Sequence, residues 1–184
     1  VINNWITGNP IIQKRAEMIN KRLADTSNSR GMEERKISPK FILLHTLSHI
    51  LIRELSFECG YATASLRERL YCNEFDDQPK MAGLLIYTAS GDSEGTLGGL
   101  VRQGKPEFFN KTFRSAITRA SWCSSDPLCM ESDGQGTDAL NLAACHACTL
   151  LPETSCEEFN RLLDRGLLIG TQTDEIGFFK ELIN

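Results

Sequence analysis

The chain has 184 residues, 41% of them hydrophobic, which is enough to bury one sizeable core and excludes a largely disordered polymer. Its formal net charge of −4 argues against a module built mainly to coat nucleic acid. The first residues lack a signal-peptide pattern, and the longest apolar run, "FILLHTLSHILI", is too short for a membrane span, so the expected location is cytoplasmic with no membrane partner. A start at Val1 instead of methionine reads as a piece of a longer protein.

Residues 1–40 hold eight Lys or Arg against four Asp or Glu, a basic arm that either touches phosphate or forms a solvated helix face. Within it, "NPIIQKRAEMINKRLAD" (9–25) predicts an amphipathic helix, with Asn9 as cap and Pro10 at the first helical position. The polar stretch "TSNSRGMEERKI" predicts a loop. Residues 38–59 predict a central helix that starts at Ser38-Pro39, is apolar nearly all round and stops at Gly60. "TASLRERLYC" predicts a further helix, because Ser65 and Glu68 have capping-box spacing. "MAGLLIYTAS" (81–90) reads as a strand, and residues 106–122 as a helix. Beyond Cys123, "DALNLAACHACTLL" and "SCEEFNRLLDRGLL" predict two more helices.

Five of the seven cysteines lie between Cys123 and Cys156. Cys145 and Cys148 form a C-x2-C unit around His146, a spacing that lets one tight turn aim two sulfurs at one point. Cys123 and Cys129 form a looser pair around an Asp-Pro turn, and Cys156 is placed at the start of a helix whose dipole favours a thiolate. An odd, clustered set with no export signal favours a metal over disulfides. An iron–sulfur cluster also takes four thiolates, and spacing alone does not separate it from zinc. The reading is one structural Zn2+ with Cys123, Cys129, Cys145, Cys148 and Cys156 as candidate ligands for four places. The fold class expected is α+β: a mostly helical single domain with a small sheet and a Cys-ligated structural zinc module.

His45 and His49 stand four apart on the central helix, the spacing of a metalloprotease pair, but Thr46 stands where the general base would be. Glu58 or Cys59 could be a third ligand, and nothing singles one out. Otherwise the two histidines satisfy each other or nearby Ser48 and Ser56. "GDSEGTLGGL" follows the strand but matches neither phosphate-loop pattern. Its glycines serve a tight packing turn or expose N–H groups to a nucleic-acid phosphate. The basic residues after it, Arg102, Lys105, Lys111 and Arg114, with Arg119 beyond, are the candidate DNA-facing surface, the alternative being a solvated helix face.

Four segments carry a family resemblance: "SPKFILLHTLSHILIRELSFECGYATASLRERLY", "GLLIYTASGDSEGTLGGLV", "WCSSDPLC" and "LNLAACHACTLLPETSCEEFNRLLDR". In this order they resemble the MrfA-like zinc-binding domain, found at the end of certain superfamily 2 helicases and in helicase partner proteins, and they are similar to DrmB-type subunits of the bacterial anti-phage system DISARM. The resemblance implies a zinc held by four cysteines, association with DNA, and work beside a superfamily 2 helicase subunit (DrmA-like). It divides the chain into a helical extension and linker at 1–37, the zinc-binding domain at 38–170 and a tail at 171–184. No ATPase motif is present. The expected function is a non-catalytic, zinc-stabilised interaction domain; the alternative is a metal-dependent nuclease or hydrolase built on His45 and His49.

Overall fold

A computed structural model describes residues 1–73, 80–89 and 98–183. A short helix α1 (Ile2–Gly8) leads into α2 (Pro10–Arg30). The Asn9 side chain accepts from the Ile11 N–H, and Ile12, Ala16, Ile19, Leu23 and Ser27 form the buried stripe. The helix runs five residues beyond the expected end at Asp25, because Ser27 keeps the stripe's spacing, and it stops at left-handed Gly31.

Helix α3 (Pro39–Cys59) is the axis of the molecule, capped by the Ser38 hydroxyl on the Phe41 N–H. From Phe41 to Ser56 every residue except Arg53 is buried. Gly60 (φ 72°) ends it in the left-handed conformation. Full burial of one Ile or Leu contributes about 1.5–3 kcal/mol, so Ile42, Leu43, Leu51 and Ile52 alone make this helix the main source of core energy.

Against α3 lies a two-stranded antiparallel hairpin, β1 (Leu66–Cys72) and β2 (Ala82–Thr88), in register from Leu66 opposite Thr88 to Cys72 opposite Ala82. The helix expected over "TASLRERLYC" is therefore a three-residue 3-10 turn followed by β1. Leu66 and Glu68 point into the core while Arg67 and Arg69 point out, the two-residue alternation of a half-buried strand. Most of the glycine-rich turn, at residues 90–97, lies outside the described residues. Helix α4 (Gly98–Gln103) then leads to α5 (Pro106–Ala120), which packs Thr112, Ala116, Ile117 and Ala120 inward.

The two helices expected beyond Cys123 are replaced by turns and two 3-10 turns, until the one-turn helix α6 (Gly166–Ile169). Side chains take over the backbone groups that a helix would have paired. Asn160 receives the Leu151 N–H on its amide oxygen (2.9 Å) and donates its NH2 to the Leu151 carbonyl (2.7 Å). Asn141 likewise binds the Leu163 N–H and the Asn160 carbonyl. Phe159, Asn160 and Leu162 have positive φ, which a right-handed helix cannot continue. Arg165 is fully buried and ties this segment back to α5, donating to the Ala120 carbonyl (2.9 Å) and to Asp126 (2.7 Å).

Candidate metal centre

Two clusters of metal-ligating side chains occur among the described residues. The first joins Cys123, just beyond α5, with Cys129, Cys145 and Cys148. The Sγ–Sγ separations are 3.5 Å for Cys123–Cys145, 3.7 Å for Cys145–Cys148 and 3.8 Å for Cys129–Cys148. A zinc tetrahedron with Zn–S near 2.3 Å has edges of about 3.8 Å, so the four sulfurs fit the ion. None of the seven cysteines is in a disulfide.

Local hydrogen bonds set this geometry. The Cys145 N–H points at the Cys148 sulfur (3.4 Å), the Ser125 N–H at Cys123 (3.4 Å), and the Thr149 hydroxyl at Cys148 (3.2 Å). The Asp126–Pro127 bond is cis, and the Asp126 carboxylate accepts from the Cys123 N–H at 3.0 Å. Arg53 reaches down from α3 and donates to the carbonyls of Ala147 (3.0 Å) and Leu150 (3.1 Å), which locks the C-x2-C turn onto the core. The Cys148 thiol is pulled down to about 4, first by its hydrogen bond from Cys129 and further by Thr149 and the charge of Arg165, while Cys129 is pushed up by the same contact and by burial. The pair thus presents a ready thiolate, the form that binds metal.

The second cluster gathers His45 and His49 from α3, Glu68 from β1 and Cys156. His45 Nε2 is 3.2 Å from the Cys156 sulfur and 3.1 Å from Glu68 Oε1, and His49 Nε2 is 3.6 Å from the same carboxylate oxygen. His45, His49 and Glu68 are at most 2% exposed and Cys156 is 6% exposed. His49 Nδ1 pairs with the Thr149 carbonyl at 3.1 Å, so the other ring nitrogen faces the cluster. Cys156 accepts the N–H groups of Glu158 (3.3 Å) and Asn160 (3.2 Å). Burial opposes the charged forms of all these groups, yet the mutual hydrogen bonds outweigh it. They raise His45 to about 10, lower Cys156 to about 7 and hold Glu68 well below the usual carboxylate range.

Of the five candidate ligand cysteines, the structure brings Cys123, Cys129, Cys145 and Cys148 together and places Cys156 beside the histidine pair. His146 is exposed, and Glu58 and Cys59 belong to neither group. Sequence reasoning misses Glu68 as a site residue because its spacing from Ser65 suggests a helix cap; the alternation of "LRERLYC" carries the signal that it points inward. Arg102, Lys105, Lys111 and Arg114 are all exposed along α4 and α5, and none forms an ion pair among the described residues. Arg102 lies over the Phe108 ring at 4.4 Å. Arg119 is engaged otherwise, 3.0 Å from Glu54 and stacked on Phe57. No helix among the described residues is long and apolar enough to cross a membrane.

Comparison with known proteins agrees with the first cluster. The family model of the MrfA Zn-binding domain matches residues 47–149, a span that holds all four of its cysteines. DISARM protein DrmB of Bacillus paralicheniformis is 39% identical over 99% of this chain. The chain spans about a third of that relative's length (32%).

Proposed function

The chain belongs to the MrfA Zn-binding domain family, and from that premise we propose that it is a non-catalytic interaction domain of a DrmB-like anti-phage protein, one that contacts a superfamily 2 helicase subunit (DrmA-like) and DNA. The observation that carries the reading is the four-cysteine cluster: four thiols at tetrahedral separations, joined by no fifth metal-ligating side chain among the described residues. Cys123, Cys129, Cys145 and Cys148 hold one zinc, and the bound ion supplies cross-linking energy, not a Lewis acid. Arg53, Arg165 and Asp126 hold the ligand-bearing turns in place. The exposed Arg102, Lys105, Lys111 and Arg114 give the DNA-facing or partner-facing surface, a local group of cations in an acidic chain. The likeness to DISARM protein DrmB supports the anti-phage setting. A hydrolase built on His45 and His49 is disfavoured by the burial of all four groups of that cluster among the described residues.

The test is a joint charge reversal of Arg102, Lys105, Lys111 and Arg114 to Glu in the intact protein, with DNA binding measured against salt and co-purification of the helicase subunit scored. Loss of binding at least tenfold, with the salt slope shallower by about 0.9 for each phosphate contact removed, is expected. Unchanged DNA binding together with unchanged helicase association would sink the proposal.

A further inference from the structure

We propose that His45, His49, Glu68 and Cys156 form a second, closed metal site that holds a divalent first-row transition ion, zinc being the best match. The site is separate from the four-cysteine centre: the family match at residues 47–149 leaves out both His45 and Cys156. Each side chain comes from a different stretch of chain or a different helical turn, yet the four ligand atoms lie within 4.8 Å of one another. The two N···O separations of 3.1 and 3.6 Å bracket the edge of about 3.4 Å expected for bonds near 2.1 Å, and the N···S separation of 3.2 Å lies within about 0.4 Å of the edge of about 3.6 Å that a 2.3 Å Zn–S bond gives.

Charge and hydrogen bonding point the same way. With both imidazoles neutral as ligands, the carboxylate and the thiolate together match the charge of a divalent cation, which takes the place of the protons the imidazoles otherwise hold. His49 Nε2 is buried with no hydrogen-bond partner, at a cost of about 1–3 kcal/mol, and a cation takes its lone pair. The surrounding contacts are those that orient ligands. The Thr149 carbonyl fixes the His49 ring from its far side, the Glu157 N–H donates to Glu68 Oε1 at 3.1 Å, and two backbone N–H groups cradle the Cys156 sulfur. A mixed set of two nitrogens, one oxygen and one sulfur suits zinc, and the fourth place is filled by protein, so the ion is structural. It bridges α3, β1 and the 153–160 turn, which lie far apart along the chain.

The experiment is metal analysis of the intact protein in four forms: wild type, Cys145→Ser/Cys148→Ser, His49→Gln and Glu68→Gln. His49→Gln and Glu68→Gln are each expected to lose one zinc equivalent while keeping the one that the cysteine pair removes. Folded His49→Gln and Glu68→Gln proteins with the wild-type zinc content would overturn the site and leave a metal-free proton-sharing cluster. Should either variant fail to fold, zinc-edge X-ray absorption of the wild type decides. A shell of about five sulfurs to three nitrogens or oxygens over two ions supports the site, and an all-sulfur shell refutes it.

Discussion

Asp164 is completely buried, and its carboxylate receives two N–H groups of Arg15, at 2.6 and 2.8 Å. Removing one partner of such a pair strands a charge without solvent. Arg15→Met is therefore expected to lower the unfolding free energy by about 3–5 kcal/mol in urea titrations. Arg30→Met, which breaks the surface pair with Asp138, is expected to cost under about 1 kcal/mol. Equal effects would show that the Asp164 carboxylate is not held as described. Asp164 and Arg165 also mark a limit of sequence reading. Both look like ordinary surface charges within "NRLLDRGLL", and only their distant partners, Arg15 on α2 and Asp126 in the Cys123–Cys129 turn, make them interior residues.

At the scale of elements, helices whose own sequence determines them were legible. α2, α3 and α5 begin with proline at the first turn and carry their apolar periodicity locally, so their positions follow from the chain. β1 was not, since its Ser65–Glu68 spacing imitates a cap while its inward face includes a charge whose partners come from α3. The strand makes a distinct prediction. Leu66, fully buried, and Leu85 of β2, 48% exposed, lie on the two faces of the hairpin. Leu66→Ala should cost about 2–5 kcal/mol and Leu85→Ala under about 1 kcal/mol, measured by denaturant unfolding. Comparable losses would contradict the register. Gly177 tests the C-terminal packing in the same way. A Cβ there would overlap the backbone of Ile169 and Gly170, so Gly177→Ala should lower the melting temperature by several degrees for a loss of about 1–3 kcal/mol.

For the molecule as a whole, the region from Cys123 to Asp164 has little regular backbone pairing and depends on ligand side chains, asparagine bridges and Arg165. The cysteine cluster was readable as a metal site because its ligand spacing is local; the partition of its fifth thiol was not, because Cys156 meets residues more than a hundred positions away. Metal removal should therefore act regionally. After chelator treatment, amide hydrogen exchange is expected to rise across residues 123–160 well before it rises in α2, whose stripe packs without any ligand group. Uniform loss of protection along the chain would indicate that metal and core unfold as one unit.

The two clusters also close very different lengths of chain. Cys123 and Cys145 are 22 positions apart, whereas His45 and Cys156 are 111 positions apart. Loop-closure entropy grows with the logarithm of that length, so joining the longer span restricts the unfolded chain by about 1.4 kcal/mol more. The short circuit can form early from its own neighbourhood, while the long one requires helix, hairpin and turn to have already met. Its completion reports that the chain's distant parts have assembled in the right order.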